Sequence, residues 1–419
     1  MMRWWMLLSI VLYFAARVGA AESVALDSGE EITFERFVGG DRARLLVFPA
    51  DEGFVENERR FAQALAAQGF DVVYPHLHDS YFLTPGAYSL AAIPLEELVT
   101  LVADIDRQGP PLYVVANQRV ALLALEVMYA YQRRASARIP GGLILLSPYL
   151  EDTAPGPAEA IRYHPAARRS NLPIYVFQPR SSSRVFYLEQ TVEALSEGGS
   201  AVFTNVEPNT RDAYHIWPDE ITDYEQQQRS DLPQRIAKAV ALLSGMKPAA
   251  LPPPVDNTEP AGRASRVFAL PQPLEDMPAA PGLAATDLDG RAWSAGELQG
   301  RVVLLNFWAT WCPPCVEELP SLQRLHEGLT HPDFDVISVD VAEDHATVSQ
   351  FLERNRMQLG YPVLLDPAGD TVQQWRLTGF PTSFLIDRQG RLRYGLIGAI
   401  EWDGDEVVEL IESLLAEPR

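Results

Sequence analysis

Between residues 44 and 245 short apolar runs alternate with stretches in which apolar residues recur every three or four positions. The runs at 45–49, 70–74, 112–116, 143–147, 174–178 and 201–206 are strand candidates, and several are apolar throughout, as burial on both faces of a sheet requires. Residues 57–68, 94–107, 120–134, 185–197 and 231–244 carry helical periodicity between them. Strands alternating with amphipathic helices predict an α/β domain with a parallel sheet and helices on both faces, three layers in all.

The periodicity stops at Met246. From there to Pro281 prolines crowd in, among them Pro252, Pro253 and Pro254, and a chain without those backbone donors favours extended, semi-rigid conformations. The segment reads as a spacer. Beyond it a second pattern begins with a hairpin at Asp289-Gly290 and a strand over 301–308. A helix follows to Gly328, then a strand over 334–341 and a helix with Asp344 as N-cap. The stretch 361–366, a hairpin of 382–387 with 392–397 around Arg388-Gln389-Gly390, and a helix over 405–416 complete it. No internal repeat at a fixed period is present. The predicted layout is therefore residues 1–21 as an export signal, 22–246 as the first domain, 247–272 as the Pro-rich linker and 273–419 as the second domain.

At 419 residues two domains are the natural expectation for the length alone. Charge narrows the partners. With 34 Lys and Arg against 56 Asp and Glu the chain carries a formal −22, which repels phosphate backbones and argues against a nucleic-acid partner. The first residues give basic Arg3, an apolar run from Trp4 to Ala16, and small residues at Gly19, Ala20 and Ala21. This is the order of a secretory signal, with Val18 and Ala20 as the cleavage pair, and the run is short for a membrane span. An uncleaved anchor, with Trp4 and Trp5 at the interface, is the alternative. Either reading places the body of the protein outside the cytoplasm, in a periplasm.

The chain has two cysteines, Cys312 and Cys315, so a structural disulfide framework is excluded and the pair acts together. They follow a strand and open a helix. Unsatisfied N–H groups and the helix dipole at that end lower the pKa of Cys312 from the free-thiol value of about 8.5, making it the attacking sulfur. Cys315, one turn in and more buried, is placed to resolve the mixed disulfide. Pro313 and Pro314 suit the first helical turn, but they remove two amide donors to the thiolate. The expected pKa is therefore nearer thioredoxin's, about 7, than the value of about 3.5 of the strong oxidant DsbA, and the couple correspondingly reducing.

Residues 306–315, Asn-Phe-Trp-Ala-Thr-Trp-Cys-Pro-Pro-Cys, together with 379–387, Gly-Phe-Pro-Thr-Ser-Phe-Leu-Ile-Asp, resemble the TlpA-like branch of the thioredoxin family, over about the last third of the chain. The resemblance implies a thioredoxin fold and thiol–disulfide oxidoreductase activity, with the Cys312–Cys315 disulfide as the redox group and no other cofactor and no metal. It implies that Pro381 is a cis-proline facing that disulfide, and that the Phe380 backbone pairs with the substrate. Asn306 stands where thioredoxins proper carry a buried acid. Glu318 matches the glutamate that the TlpA-like branch places near the cysteines, and a partly desolvated carboxylate there could accept the Cys315 proton. Its neighbour Glu317 reads as solvated. Trp311 is assigned to the substrate-facing side, with core packing as the alternative, and Trp308 to packing. Protein dithiols or disulfides are the implied substrates, and a membrane carrier of the DsbD type the implied electron donor, since an oxidising compartment has no glutathione pool.

The element order of the first domain is similar to the α/β-hydrolases. That family exposes a serine in a G-x-S-x-G turn after the central strand. Here the turn is Ala116-Asn117-Gln118-Arg119-Val120, without the serine or either glycine. His215 falls where a triad histidine would lie, with nothing to activate, and Pro179-Arg180-Ser181 lacks the orienting acid. Ser147, closing a strand, reads as a packed hydroxyl. His76 and His78 would share one face of an extended segment beside Asp79, but two ligands without a third are weak grounds for a metal site. The domain reads as a binding or presentation module. The favoured function is reduction of specific protein disulfides. Oxidase or isomerase chemistry at the same cysteines is the nearest alternative, and hydrolysis or client binding by the first domain the more distant ones.

Overall fold

The computed structural model describes residues 17–18, 22–26, 28–53, 55–134, 137–217, 221–253 and 270–418. The proposed export signal therefore lies outside the described residues, apart from Arg17–Val18, which pair antiparallel with Phe37 and Val38. So does residue 254 to residue 269 of the expected linker. Among the described residues no helix is long and apolar enough to cross a membrane.

The first sheet begins with a hairpin that the sequence pattern did not reveal, β1 (Glu22–Ala25) and β2 (Glu31–Val38). It continues through β3 (Arg44–Val47), β4 (Asp71–Pro75), β5 (Leu112–Asn117), β6 (Gly142–Leu146), β7 (Ile174–Ser181) and β8 (Val202–Arg211). The spatial order is β2-β4-β3-β5-β6-β7-β8, with β2 antiparallel to β4 and every later pair parallel. Strand residues alternate between two cores. Val114, Ala116, Leu143 and Leu145 face α2 (Leu95–Ile105) and α3 (Val120–Gln132), while Tyr113, Val115, Ile144 and Leu146 face α1 (Val55–Ala66) and the long C-terminal helix. Two-sided burial explains why these strands read as continuous apolar runs. The expected helix 185–197 is a short 3-10 turn, Ser183–Tyr187, followed by α4 (Leu188–Ser196). The last helix, α5 (Asp223–Leu243), starts a full eight residues before the periodicity does, because Thr222 and Glu225 form a capping box ahead of its apolar face.

The second sheet follows the expected pattern closely. The hairpin β9 (Ala284–Asp287) and β10 (Ala292–Ser294) turns at Gly290. Then come β11 (Val302–Trp308), α6 (Pro313–Gly328), β12 (Phe334–Val341), α7 (His345–Arg354) with Asp344 as its cap, β13 (Val363–Asp366), β14 (Thr382–Ile386), β15 (Leu392–Ile397) and α8 (Asp405–Ala416). A βαβ unit joined to an antiparallel ββα unit, with β11 central, is the thioredoxin arrangement. Gln272–Pro273 already pair with β15, so sheet structure resumes at the far end of the linker. At its near end, Ala249 exchanges hydrogen bonds with Asn171.

One face of the second sheet is covered by α6, α7 and α8. The other, built on Val303, Leu305 and Phe307, is closed partly by the first domain: Tyr187 is buried in that core, with Phe186, Ala158 and Ile161 packed against it. Side-chain hydrogen bonds support the docking, among them one from Arg376 to the Ala158 carbonyl at 3.2 Å. Ser183 donates to the Thr378 carbonyl at 2.9 Å, Tyr187 to the Val372 carbonyl at 3.2 Å, and Gln373 to the Phe186 carbonyl at 2.7 Å.

Candidate functional site

Strand β11 and helix α6 position the two sulfurs. The strand ends at Trp308, which is fully buried, as its assignment to packing requires. Thr310 in the loop that follows is held by Glu343, which accepts from its backbone N–H and its hydroxyl, both at 2.6 Å. Cys312 is then the N-cap of α6, with Pro313 and Pro314 as the first helical residues. The two prolines offer no donor, so the first amide to reach Cys312 Sγ is that of Cys315, at 3.3 Å. Cys312 and Cys315 are joined as a disulfide with Cα atoms 5.3 Å apart. Cys312 is 4 % exposed and Cys315 fully buried, the order of accessibility expected of an attacking and a resolving sulfur.

Antiparallel pairing of β11 with β14 sets Phe307 opposite Thr382, so Pro381 lies just beyond the strand end that leads to the cysteines. The Phe380–Pro381 bond is cis. Phe380 meets the edge of Trp311 at 5.8 Å between ring centroids, and both line the open side of the disulfide. Trp311 is half-buried, lining the cleft on one side and packing against the core on the other.

Glu318 lies three residues beyond Cys315, on the same helical face. It is buried, whereas Glu317 is exposed. Asn306 donates to Glu318 Oε1 at 2.6 Å and Trp402 to Oε2 at 3.0 Å, and Asn306 also donates to Ser383 at 2.9 Å. Burial pushes the Glu318 carboxyl up to about 7, against the Trp402 and Asn306 hydrogen bonds, which favour the ionised form. An acid group thus reaches the interior beside the cysteines from α6, while the β11 position that could carry one holds its amide partner. Trp402 had no sequence signal. It arrives from the loop before α8, 84 residues away.

The disulfide faces a cleft of about 690 Å³ between the two domains. Its near wall includes Trp311, Cys312, Pro313 and Phe380, and its far wall Arg119, Tyr149 and Arg184. The far wall coincides with the turn after β5. Gln118 there has a positive φ of 39°, so the sharp turn persists with an amide side chain in it. His215 does not reach this wall. It is buried against Phe61, with ring centroids 5.1 Å apart, and burial reinforced by the Arg229 charge lowers its pKa to about 3. The group at the wall is Asp212, three residues earlier, which accepts from Ser147, from Tyr149 at 2.8 Å and from Ser182 at 2.9 Å. Burial pushes its carboxyl up. Ser147 is therefore a donor to a half-buried acid and not merely a packed hydroxyl. His76 and His78 are not on one extended face either. His76 caps the short helix Leu77–Ser80 and contacts Glu35 at 3.0 Å, while His78 meets Ser89 at 2.9 Å. Among the described residues no group of three or more His, Cys, Asp or Glu could hold a metal ion.

Comparison with known proteins decides the family. The model of the AhpC/TSA family matches residues 278–395. The thiol-disulfide oxidoreductase ResA of Bacillus cereus is 30 % identical over 148 residues, 35 % of this chain and 81 % of that protein. The chain belongs to the ResA-like thiol-disulfide oxidoreductases. A ResA from Geobacillus thermodenitrificans is 30 % identical over 135 residues, 32 % of this chain and 75 % of that protein. Among solved structures, a thiol:disulfide interchange protein DsbE from Chlorobium tepidum is 29 % identical, with a TM-score of 0.31, and covers 33 % of this chain and 96 % of its own. The ResA likeness lies in the second domain, as the resemblance read from residues 306–315 and 379–387 implied, and the chain is an enzyme of thiol–disulfide exchange.

Proposed function

We propose that this oxidoreductase works in a periplasm as a reductant of protein disulfides, using Cys312 as nucleophile, Cys315 as resolving thiol and Glu318 as proton acceptor. The Cys312 thiolate attacks a substrate disulfide, forming a mixed disulfide and releasing one substrate sulfur as a thiol once it takes up a proton. Cys315 then gives its proton to Glu318 and attacks Cys312 Sγ. The Cys312–Cys315 disulfide forms, and the second substrate sulfur leaves with the electron pair. Two electrons have passed to the substrate, and a membrane dithiol donor of the DsbD type returns them. Trp311, Phe380 and Pro381 border the substrate, with the Phe380 backbone pairing to its chain. The observation that carries the reading is the burial of Glu318 beside a cysteine pair capping a helix, with a carboxyl that ionises near neutrality.

Reducing direction is supported by the absence of N–H groups at Pro313 and Pro314, which leaves the Cys312 thiolate less stabilised than in a strong oxidant. The first domain, with the strand order described above, a degraded nucleophile turn and a buried His215, is a non-catalytic client-binding module similar to α/β-hydrolases. Domains at 22–246 and 273–419 with a linker at 247–272, and export through the first 21 residues, complete the proposal. The decisive experiment is trapping. Cys315→Ser exposed to envelope extract should stall mixed disulfides on Cys312 that reductant releases. A reduction potential near −270 mV supports reductase action, and one near −120 mV overturns it in favour of an oxidase.

A further inference from the structure

The far wall of the interdomain cleft is built around two guanidinium groups on one aromatic ring. Arg184 lies 4.5 Å from the Tyr149 ring centroid and Arg119 5.4 Å, and Arg119 is also 5.4 Å from Tyr88. Arg184 is buried and gives Nη2 to Glu151, leaving Nε and Nη1 without an acceptor among the described residues. Arg119 has a long contact to Glu52, at 3.5 Å, besides the two rings. Each buried donor without a partner costs about 1–3 kcal/mol. The nearby carboxyls favour the charged form of both guanidinium groups, Glu151 and Asp212 facing Arg184, and Glu52 and Asp51 facing Arg119. Glu151 is already committed to Arg184, and Asp212 is enclosed by Ser147, Tyr149 and Ser182. Arg119, the more exposed of the two, presents its guanidinium to the cleft, where an incoming carboxylate would pair with it.

The same cleft contains Cys312. Its volume, about 690 Å³, is that of a site for a small ligand or a short chain and excludes a folded domain. A space of that volume is roughly 11 Å across, the length of about three extended residues.

We propose that the cleft receives an extended peptide segment whose disulfide-bonded cysteine meets Cys312 while a carboxylate within about three residues of it is held by Arg119 and Arg184. This rests on the redox role of Cys312 proposed above and adds the substrate class: acidic cysteine-containing segments, from an unfolded protein chain or a free peptide. The first domain thereby selects the substrate that the second reduces.

The test uses disulfide-linked dimers of an octapeptide with one cysteine and, three residues away, either Glu or Gln, and the same pair of segments placed in an unfolded carrier protein. The full-length protein should reduce the Glu form with kcat/KM about tenfold higher than the Gln form. Arg119→Gln should bring that ratio close to one, and Arg119→Lys should keep part of it. A Glu preference in either format supports the proposal, and the format with the higher kcat/KM identifies the source. Equal reduction of Glu and Gln forms overturns the carboxylate site while leaving the redox reading intact. No reduction of any form by the dithiol enzyme overturns both.

Discussion

Asn306, at the centre of β11, donates its side-chain amide to Glu318 on α6, so the strand that leads into the cysteines also fixes the carboxyl beside them. If Glu318 accepts the Cys315 proton, the resolving step needs it ionised. With its carboxyl pushed up to about 7, the rate should rise with pH through an inflection near that value. Glu318→Gln should lose the inflection and about 100-fold in rate near neutral pH, the usual contribution of a positioned base. Stopped-flow release of the peptide from a preformed Cys312 mixed disulfide across pH isolates the resolving step and checks this, and an unchanged profile removes Glu318 from the mechanism.

The same group affects stability in the opposite sense. Its folded-state pKa lies above the ordinary value of 4.5, so between about pH 4.5 and 7 the native state holds more proton than the unfolded chain. Stability therefore falls as pH rises through that window, by at most about 3 kcal/mol at 1.36 kcal/mol per unit. Chemical denaturation at several pH values should show this decline, and Glu318→Gln should flatten it.

The cis bond at Pro381 and the place of Glu318 came from the family resemblance of residues 306–315 and 379–387, whereas the cysteine motif was legible because it is a local pattern, a spacing at a strand-to-helix step. Helix α6 and strands β12 and β15 were legible for the same reason, with apolar faces bounded by turn residues. What escaped was non-local. Trp402 and Glu343 reach the site from loops with no periodicity, and β1 and β2 alternate too weakly to stand out from a charged surface. Chain order puts His215 where a triad histidine would lie, but its side chain turns into the core against Phe61, in keeping with a structural role, and leaves Asp212 at the wall. The interdomain cleft could not be read at all, since the Pro-rich spacer carries no information about how the domains it joins are packed.

Docking of the domains should be breakable at a single glycine. A Cβ at Gly395 on β15 would lie 2.5 Å from Pro157 Cβ of the first domain, too close for any side chain. Gly395→Val should push the domains apart and open the cleft while adding a β-branched residue that strands favour. The expected outcome is faster alkylation of reduced Cys312 by a bulky maleimide, together with two resolved thermal transitions. Tyr187→Ala, which empties a buried site in the shared core, should split the transitions too, at a cost of about 3 kcal/mol or more. A single unshifted transition and unaltered alkylation in both variants would mean that the contact contributes nothing in solution.

His215 should behave as a core residue. Its pKa, lowered to about 3 by burial and the Arg229 charge, lies below the unfolded value of about 6.5, so the unfolded chain binds the extra proton between those limits. Stability is complete above about pH 6.5 and lost as pH falls toward 3. His215→Phe should remove that part of the acid sensitivity without altering thiol exchange at neutral pH. Ester turnover that survives Cys312→Ser but disappears with His215→Phe would instead restore a hydrolytic role to the first domain.

The two prolines should set the direction of electron flow. Cys312 caps α6 without an N–H from either of the first two helical residues, and its one amide contact is the 3.3 Å approach of Cys315. Pro314→Ala adds a donor at the second helical position, where a cap side chain normally finds one. Hydrogen bonding to the thiolate favours the charged form, so the Cys312 pKa should fall by about one unit. Stabilising the thiolate stabilises the reduced enzyme, and one unit, about 1.4 kcal/mol, corresponds to a potential up to about 30 mV more oxidising for the two-electron couple. Thiolate absorbance and equilibration with a thiol buffer measure the two quantities separately. They must move together: a lower pKa with an unchanged potential would show that the disulfide form gains as much from the new donor as the thiolate does, and that the prolines do not set the couple.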